Sequence, residues 1–281
     1  MVAAGGACPA PVEALVELLV TETGMIYRLA GFTLLVLCAI PHALGDEARP
    51  EPTVLLEAAP ADARGDPEFD RSRVDERQAM VRRQLAGRGV EDEAVLEALR
   101  TVPRHAFVPP EQRSRAYADR PLPIGHGQTI SQPYIVAYMS EQLGVEPGDR
   151  VLEVGTGSAY QAAVLAAMDV EVVSIEIIEA LAESAARKLE NMGFDNVTVL
   201  HGDGYYGYPA MAPYDAIIVT AAAEHVPPPL VEQLKPGKPM IIPVGRSGWT
   251  QNLLRVEKDE DGSTRSRNLM AVSFVPLTGE R

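Results

Sequence analysis

Three acidic residues follow predicted strands in a pattern that is typical of a nucleotide-like cofactor site. Glu153 precedes a glycine turn at Gly155-Thr156-Gly157, Glu176 closes the next strand, and Asp203 follows the third strand. A glycine turn between a strand and a helix allows a cofactor to approach the backbone and the helix N-terminus closely. A carboxylate such as Glu176 can accept two hydrogen bonds from a ribose diol, so the spacing predicts an adenosine-like cofactor.

The glycine turn departs from the dinucleotide-binding fingerprint. Gly-x-Gly-x-x-Gly requires a third glycine at position 160, which is Tyr160 in this chain. With no pyrophosphate to bind, the three carboxylates suit a cationic nucleoside such as S-adenosylmethionine. For Glu153 or Asp203 alone, ordinary turn and capping chemistry explains the residue about as well, but three acids after three strands favour the cofactor.

An upstream segment brings hydroxyl and amide side chains to the start of another predicted helix. Within Gly125–Pro133, Ser131 and Gln132 directly precede Pro133, and the N–H groups of a helix N-terminus suit an anion. Spacing alone favours a capping role for Ser131, because serine followed by a first-turn proline is typical of a helix start. Taken together, the two segments suggest a cofactor and an acceptor that is presented to it.

Alternating strands and helices are predicted to position both segments. Strands separated by helices predict an α/β fold with a mostly parallel sheet and helices on both faces. An Asp261-Gly262 turn predicts an antiparallel hairpin at the C-terminal edge of this sheet. The predicted strands are 151–154, 170–175, 197–200, 216–220 and 240–244, the helices 160–168, 178–192 and 229–234, and the hairpin strands 252–258 and 268–275.

The chain is predicted to consist of an extension, a linker and one folded domain. Pro, Ala, Asp and Glu dominate the linker, which is expected to be disordered. Two amphipathic helices, over 71–86 and 92–102, open the folded domain. The predicted divisions are 1–45 for the extension, 46–70 for the linker and 71–281 for the domain, with a helical prelude and substrate loop over 71–149 and the cofactor-binding core over 150–281.

The N-terminal extension contains a segment with the features of a secretory signal. A basic start at Met25–Arg28 is followed by the apolar run Leu29–Ile40 and an Ala43-x-Gly45 end. The run is too short for a comfortable membrane span, and Met25 would be the initiator under this interpretation. The alternative is an apolar segment that packs on the domain, or a start assigned too far upstream.

Composition excludes several classes of function. A formal charge of −14 and a pI near 4.8 argue against a nucleic-acid backbone as partner. Both cysteines, Cys8 and Cys38, lie in the extension, so the domain has no thiolate zinc site and no cysteine nucleophile. Its histidines show no short metal-ligand spacing, and we expect no metal site.

These motifs resemble those of the protein-L-isoaspartate (D-aspartate) O-methyltransferase family over residues 74–279. The segment that contains Ser131 is the most specific part of the match, whereas the glycine turn alone indicates only a methyltransferase. The matching segments are Leu122–Pro133, Val151–Ser158, Ser174–Ile177, Gly202–Gly204, Tyr214–Ala223 and Phe274–Gly279.

The resemblance implies an S-adenosylmethionine-dependent methyltransferase with a Rossmann-like fold. Such enzymes methylate the free α-carboxylate of L-isoaspartyl residues in damaged proteins, release S-adenosyl-L-homocysteine, and so start repair through a succinimide. Ser131 is implied as the catalytic residue. The implied cofactor-binding residues are Glu153, Gly155, Thr156, Gly157, Ser158, Glu176, Ile177, Gly202, Asp203, Gly204 and Thr220, and the implied substrate-binding residues are Thr129, Ile130, Gln132, Ala221, Ala222 and Val275.

The resemblance also implies a cytoplasmic monomer, since S-adenosylmethionine is made in the cytosol; export through residues 25–45 is the alternative. Two positions depart from the family pattern, Ala159 and Lys238, where glycines are usual. A methyl group at Ala159 would crowd the turn if this residue needs a positive φ. Two other functions stay open at this point: another methyltransferase of the same fold, and a binding module that has lost turnover.

Overall fold

The structure, a computed structural model, describes residues 17–21, 24–29, 32–33, 50–58, 72–246 and 248–279. The chain forms two compact units, residues 1–50 and 51–281. In the first unit, strands β1 (Glu17–Thr21), β2 (Gly24–Leu29) and β3 (Phe32–Thr33) form a small antiparallel sheet. The predicted signal segment 25–45 therefore coincides in part with β2 and β3, and its other residues lie outside the described ones.

The second unit is built on an eight-stranded sheet. Its five central strands run parallel, and the remaining three pair antiparallel at the two edges. A separate two-stranded hairpin carries the segment before Ser131. The strands are β4 (Thr53–Leu56), β5 (Leu122–Gly125), β6 (Gln128–Ile130), β7 (Arg150–Val154), β8 (Glu171–Glu176), β9 (Val197–His201), β10 (Ala216–Val219), β11 (Pro239–Val244), β12 (Gln251–Lys258) and β13 (Thr264–Val272).

The strand order places the predicted site at a topological switch point. The order is β13-β12-β11-β10-β7-β8-β9-β4, so the chain begins the parallel part at β7, in the middle, and later returns to its other side at β10. Ligands of open α/β sheets bind outside the carboxyl ends of the strands at such a point. The predicted α/β fold with its C-terminal antiparallel hairpin is confirmed.

Helices cover the sheet and connect its parallel strands. Asp92 begins the second helix by accepting a hydrogen bond from the Val95 N–H at 3.1 Å, as an N-cap residue does. The first helix continues through a π-helical turn over Val81–Leu85. The helices are α1 (Val74–Met80), α2 (Glu93–Thr101), α3 (Pro133–Leu143), α4 (Tyr160–Ala166), α5 (Glu179–Asn191) and α6 (Pro228–Gln233). None of the helices in the described part of the chain has the length and apolar character needed to cross a bilayer.

Alternating strand residues feed two apolar cores, one on each face of the sheet. Val151, Ile218 and Ile241 pack in the larger core with residues of α2, α3, α4 and α5. Their neighbours Leu152 and Ile217 point to the opposite face, where the smaller core includes residues of α6. Because both faces are buried, the strands are apolar throughout, which is why their positions could be predicted.

The predicted disordered linker over 46–70 is wrong for residues 53–56. Thr53–Leu56 form β4, which pairs antiparallel with β9 at the sheet edge. Leu55 and Leu56 pack against the larger core, and the Ala58 N–H donates to the Thr198 hydroxyl at 3.0 Å. An edge strand with free backbone groups is a ready partner for such a segment. Residues 59–71 lie outside the described ones.

Candidate functional site

The glycine turn after β7 is fixed by the two neighbouring strands. The Gly155 N–H donates to the Ile175 carbonyl at 2.8 Å, and the Thr220 hydroxyl, at the end of β10, donates to the Gly155 carbonyl. Gly155 has φ +100°, and a Cβ on it would lie 2.5 Å from the Thr220 Oγ1. Glycine is therefore needed here both for backbone conformation and for space.

Glu176 lies at the carboxyl end of β8 and faces the glycine turn. Its Oε2 accepts from the Gly157 N–H at 2.8 Å and its Oε1 accepts from the Ile178 N–H at 2.9 Å. The residue is 6 % exposed. A carboxylate has about four acceptor positions, so two remain for a ligand in the adjoining cavity.

A cavity lies over the carboxyl ends of the central strands, with about 750 Å³ of space that includes open solvent. We call it the donor cavity. Glu176 is its only charged lining residue in the described part of the chain. Thirteen of the predicted site residues line it: Thr129, Ile130, Ser131, Gly155, Thr156, Gly157, Ser158, Glu176, Ile177, Gly204, Thr220, Ala221 and Val275.

A second cavity opens beside the first, with about 1060 Å³ of space that includes open solvent, and we call it the peptide groove. Gln132, predicted to bind substrate, lines this groove and not the donor cavity. Four residues line both cavities: Thr129, Ser131, Thr220 and Val275. The predicted catalytic serine thus lies where the two cavities meet.

Ser131 does not cap the helix that follows it. Gln132 is the N-cap residue of α3, and no side-chain hydrogen bond caps this helix. The Ser131 carbonyl instead accepts from Arg104 Nη2 at 2.7 Å, while Arg104 Nε donates to the Ala116 carbonyl at 2.8 Å. The capping alternative for Ser131 is therefore wrong, and its hydroxyl is available to the cavities.

Arg104 is a wholly buried cation that sequence analysis did not select. Its guanidinium carbon lies 4.9 Å from the centre of the Tyr160 ring, and burial lowers the pKa of Arg104 to about 10. It lies in an irregular segment between Pro103 and Pro123, where arginine is frequent. No local pattern there distinguishes a buried arginine from an exposed one.

Asp119 occupies the start of α3 that was expected to be free for an anion. Its Oδ2 accepts from Gln132 Nε2 at 2.8 Å and from Arg88 Nη1 at 2.6 Å. Its Oδ1 accepts from the Tyr134 N–H at 3.4 Å. The carboxylate of Asp119 thus takes up one first-turn N–H group and fixes the Gln132 amide.

Glu153 does not line the donor cavity, contrary to its predicted role in cofactor binding. It is fully buried, and its Oε2 pairs with the Ser174 hydroxyl, which in turn lies 2.6 Å from the Thr156 hydroxyl. Burial raises the pKa of Glu153 to about 8, so the side chain holds a proton at neutral pH. It supports the glycine turn from behind through Ser174 and Thr156.

Gly202, Asp203 and Ala222, also predicted site residues, lie beside the donor cavity without lining it. Asp203 Oδ1 accepts from the Tyr205 N–H at 2.9 Å, whereas the buried Oδ2 has no hydrogen-bond partner among the described residues. Ala222 pairs with the C-terminal segment, since the Ala222 N–H donates to the Val275 carbonyl at 2.7 Å. A Cβ on Gly279 would overlap the Asp203 carboxylate, so this segment passes directly over it.

The donor cavity also has lining residues that sequence analysis missed. Gln128 belongs to the motif before Ser131, and Ile178 directly follows a predicted pair, so proximity in sequence could have suggested both. Tyr160 and Gln161 begin α4, where the first turn of a helix after a glycine turn regularly faces the cofactor. Pro276, Leu277 and Thr278 belong to the segment Phe274–Gly279 of the family resemblance, and they line the cavity because this segment pairs with Ala222.

The two departures from the family pattern have different structural settings. Ala159 is fully buried and has φ +74°. Its backbone is therefore left-handed, the conformation in which a methyl group was expected to crowd the glycine turn. Ala159 does not itself line the donor cavity. Lys238 lies at the opposite end of the strands, where its Nζ is 3.7 Å from Asp149 and 3.8 Å from Asp215.

The histidines near the motifs have no catalytic arrangement. His126 is exposed in the turn between β5 and β6, and His225 Nε2 lies 3.1 Å from the Tyr205 hydroxyl. Neither histidine lines the donor cavity or the peptide groove. Among the described residues, no group of three or more His, Cys, Asp or Glu side chains could hold a metal ion.

Comparisons with known proteins agree with this geometry. The family model of protein-L-isoaspartate (D-aspartate) O-methyltransferase matches residues 75–281. The chain is 57% identical over 205 residues to the protein-L-isoaspartate O-methyltransferase 2 of Polaromonas sp. (strain JS666), which covers 72% of this chain and 97% of that protein. It is 60% identical over 193 residues to the protein-L-isoaspartate O-methyltransferase 2 of Syntrophobacter fumaroxidans, and this match covers 69% of this chain and 78% of that protein.

Two solved structures have the same fold. One, a protein-L-isoaspartate O-methyltransferase, has a TM-score of 0.66 and 32% identity, and the match covers 72% of this chain and 66% of that one. The other is the beta-aspartate methyltransferase of Plasmodium falciparum in complex with S-adenosyl-L-homocysteine, with a TM-score of 0.63 and 25% identity, covering 72% and 98%.

Proposed function

The chain belongs to the protein-L-isoaspartate (D-aspartate) O-methyltransferase family, and we propose that its donor cavity and peptide groove hold the two reactants on either side of Ser131. The reaction transfers a methyl group from S-adenosyl-L-methionine to the α-carboxylate of an L-isoaspartyl residue in a damaged protein. The observation that carries the proposed arrangement is that Ser131, Thr129, Thr220 and Val275 line both cavities.

The residues of the donor cavity fit the cofactor. Gly155 holds the tight turn beside Thr220, where a Cβ would clash with the Thr220 hydroxyl, and Glu176 keeps acceptor capacity for the two ribose hydroxyls. Asp203 lies beside the cavity rather than in its lining, and its buried Oδ2, which accepts no hydrogen bond from the described residues, is proposed to accept one from the base. When bound, S-adenosyl-L-methionine supplies an electrophilic methyl group on a positively charged sulfur.

The charges that line the two cavities are complementary to the two reactants. The described lining of the donor cavity carries Glu176 and no cation, which suits a cationic cofactor. The described lining of the peptide groove carries Arg88 and no acid, which suits an anionic acceptor. Close approach of opposite charges is favourable, most of all where water is excluded.

Catalysis is assigned mainly to positioning. A carboxylate is already ionised and nucleophilic at neutral pH, so no general base is needed. Its oxygen forms a bond to the methyl carbon while the carbon–sulfur bond breaks and the electron pair stays on sulfur. Alignment of two reactants can contribute ~7–11 kcal/mol, and closing the site removes water from the nucleophile.

The Ser131 hydroxyl is proposed to donate a hydrogen bond to one oxygen of the substrate carboxylate and so to orient the other oxygen toward the methyl group. Arg104 holds the Ser131 backbone in place through the carbonyl. Thr129, Ile130, Gln132, Ala221, Ala222 and Val275 are proposed to hold the peptide. Thr156, Gly157, Ser158, Ile177, Gly202, Gly204 and Thr220 are proposed to surround the cofactor, with Glu153 supporting them indirectly.

A monomer in the cytoplasm is proposed, since S-adenosyl-L-methionine is made in the cytosol. The signal-like segment 25–45 supports the alternative of export. N-terminal sequencing of the native protein distinguishes the two. A start at Asp46 would indicate export, and an intact extension would favour the cytoplasm.

A methyl-transfer assay with paired peptides tests the function. Two peptides of one sequence, one with L-isoaspartate and one with L-aspartate, are incubated with methyl-labelled S-adenosyl-L-methionine. Label is expected in base-labile ester on the isoaspartyl peptide only. Cofactor binding without transfer would contradict the enzyme, and transfer to another acceptor but not to isoaspartate would contradict the substrate.

A further inference from the structure

Arg88 provides the only charge among the described residues that line the peptide groove. Its side chain is 43% exposed, although it is held at two points. The guanidinium carbon lies 3.6 Å from the centre of the Tyr134 ring, and Nη1 donates to Asp119 Oδ2 at 2.6 Å. Arg88 is thus an exposed cation with a fixed orientation.

The stacked aromatic rings beneath Arg88 make this orientation rigid. Tyr134 and Tyr138 are stacked with ring centres 5.8 Å apart and planes inclined by 19°. Both rings project from α3, the helix that begins directly after Ser131 and Gln132. A guanidinium on an aromatic face keeps its N–H groups in the plane, free to bind acceptors at its edge.

The ion pair with Asp119 leaves most of the N–H donors of Arg88 unused. A guanidinium has five N–H groups, and the bond to Asp119 uses Nη1. Asp119 also accepts from Gln132 and from the Tyr134 backbone, and its side chain is 25% exposed. Because Asp119 does not line the groove, a peptide in the groove encounters the cation rather than the carboxylate.

We propose that Arg88 is a specificity-determining residue that binds a carboxylate flanking the isoaspartyl residue, either an Asp or Glu side chain or the peptide C-terminus. This inference rests on the proposed function, since it assigns the peptide to the groove beside Ser131. Arg88 selects for acidic over basic neighbours in a protein whose net charge is −14. A flanking lysine is disfavoured because its ammonium group meets a fixed cation.

A set of peptides tests the proposal. Each is otherwise neutral and contains one L-isoaspartyl residue, and a single Glu, Gln or Lys is placed in turn at each of the three positions on either side of it. We expect one position at which kcat/KM falls in the order Glu, Gln, Lys, with about a 3- to 10-fold difference between Glu and Lys. Amidation of the C-terminus in a short peptide distinguishes the terminal carboxylate from the side chain. High salt is expected to reduce the difference.

Arg88→Gln should remove this preference, while the exposed Arg83→Gln, with the same loss of charge, should keep it. If Arg88 only supported Asp119, Arg88→Gln would lower kcat/KM for all peptides by one factor and leave their ratios intact. That result, or equal rates at every position with the unchanged protein, would overturn the proposal. Absence of transfer to every isoaspartyl peptide would instead contradict the proposed function.

Discussion

Glu176 is the residue on which the affinity for the methyl donor is expected to depend most. Glu176→Gln keeps the size of the side chain and removes the charge that is proposed to accept hydrogen bonds from the ribose. A hydrogen bond that involves a charged group contributes about 1.5–3 kcal/mol, so we expect cofactor affinity to fall about 10- to 100-fold. Calorimetric titration with S-adenosyl-L-homocysteine measures this.

Glu179→Gln is the matched control for that experiment. Glu179 is exposed at the start of α5 and does not line the donor cavity. Its loss removes the same charge three residues away. Equal affinities of the two variants would contradict the assignment of Glu176 to the ribose.

Glu153 makes the stability of the protein depend on pH. Burial raises its pKa from the usual 4.5 to about 8, so the native state keeps a proton that the unfolded chain releases. This contribution to stability is present below the unfolded pKa and is lost as pH rises from about 4.5 to about 8. Glu153→Gln removes the titrating group. The unfolding free energy of this variant relative to the unchanged protein should therefore grow over this interval, by roughly 2–4 kcal/mol at pH 8.

Thermal or urea unfolding at pH 5, 6.5 and 8 checks this prediction. The exposed Glu190→Gln in α5 is the control, and its difference from the unchanged protein should not grow with pH. A Glu153→Gln difference that stays constant across the interval would show that Glu153 is ionised when folded.

Ala159 combines a left-handed backbone with a buried methyl group. Ala159→Gly relieves the strain of φ +74°, and this relief contributes about 1–2 kcal/mol to stability. The loss of one buried methyl group and the greater freedom of glycine in the unfolded chain largely offset this gain. We expect a change of about 1 kcal/mol or less in unfolding free energy. Ala159→Val, β-branched at positive φ in a packed site, should destabilise by at least about 2 kcal/mol.

Urea unfolding of both variants measures these effects, and cofactor titration adds a second test. Ala159 does not line the donor cavity, so Ala159→Gly should leave cofactor affinity within about twofold. Equal stability of the valine and glycine variants would contradict the strained backbone at this position.

At the scale of elements, β4 adds a strand outside the residues that the family model matches. Its start packs on the turn after β9, where a Cβ on Gly202 would lie 2.9 Å from the Pro52 Cβ and 3.1 Å from the Pro52 Cα. Because part of this overlap is with backbone, the segment must move to admit a side chain. We expect Gly202→Ala to release β4 from the sheet edge.

Hydrogen exchange measures that release directly. Protection of the amides of 53–56 and of Ala58 should fall in Gly202→Ala, while amides of β7 and β8 keep theirs. Pro52→Gly removes the side chain that packs against Gly202. The double variant Pro52→Gly/Gly202→Ala should therefore regain part of the protection. Unchanged protection at 53–56 would contradict the described packing.

Elements could be predicted wherever a run of apolar residues was long enough to be buried on both faces. The strands 150–154 and 171–176 are of this kind, whereas the helix 179–191 was predictable from apolar residues that recur on one face only. Thr53–Leu56 was missed because four apolar or β-branched residues lie among Pro, Ala and Glu. Its structure depends on pairing with β9, a tertiary contact that local composition does not encode.

The site was predictable in proportion to how local its contacts are. Gly155 and Glu176 follow from strand ends, and both line the donor cavity. Glu153 carries the same local signal, but it lies inside β7, pairs with Ser174 of β8 and is fully buried, whereas Glu176 is the last residue of its strand. Arg104 and Asp119 act on the Ser131 segment across 27 and 13 residues, and sequence spacing alone does not indicate such contacts.

At the scale of the whole molecule, the sheet brings two cavities of opposite lining charge together at one residue. Strand order places the glycine turn beside Thr220, and the C-terminal segment closes the cavity by pairing with Ala222. Arg104 holds Ser131 from the side of the helical prelude. The central claim is therefore that Ser131 serves the acceptor and not the cofactor.

Ser131→Ala tests that claim most directly when methyl transfer and cofactor binding are measured on the same preparation. We predict that kcat/KM for an isoaspartyl peptide falls about 10- to 100-fold, the value of a hydrogen bond to a carboxylate, while cofactor affinity stays within about twofold. Ser273→Ala, which lines only the peptide groove, should have a much smaller effect. Full transfer activity in Ser131→Ala, or a loss explained by weaker cofactor binding, would contradict the account.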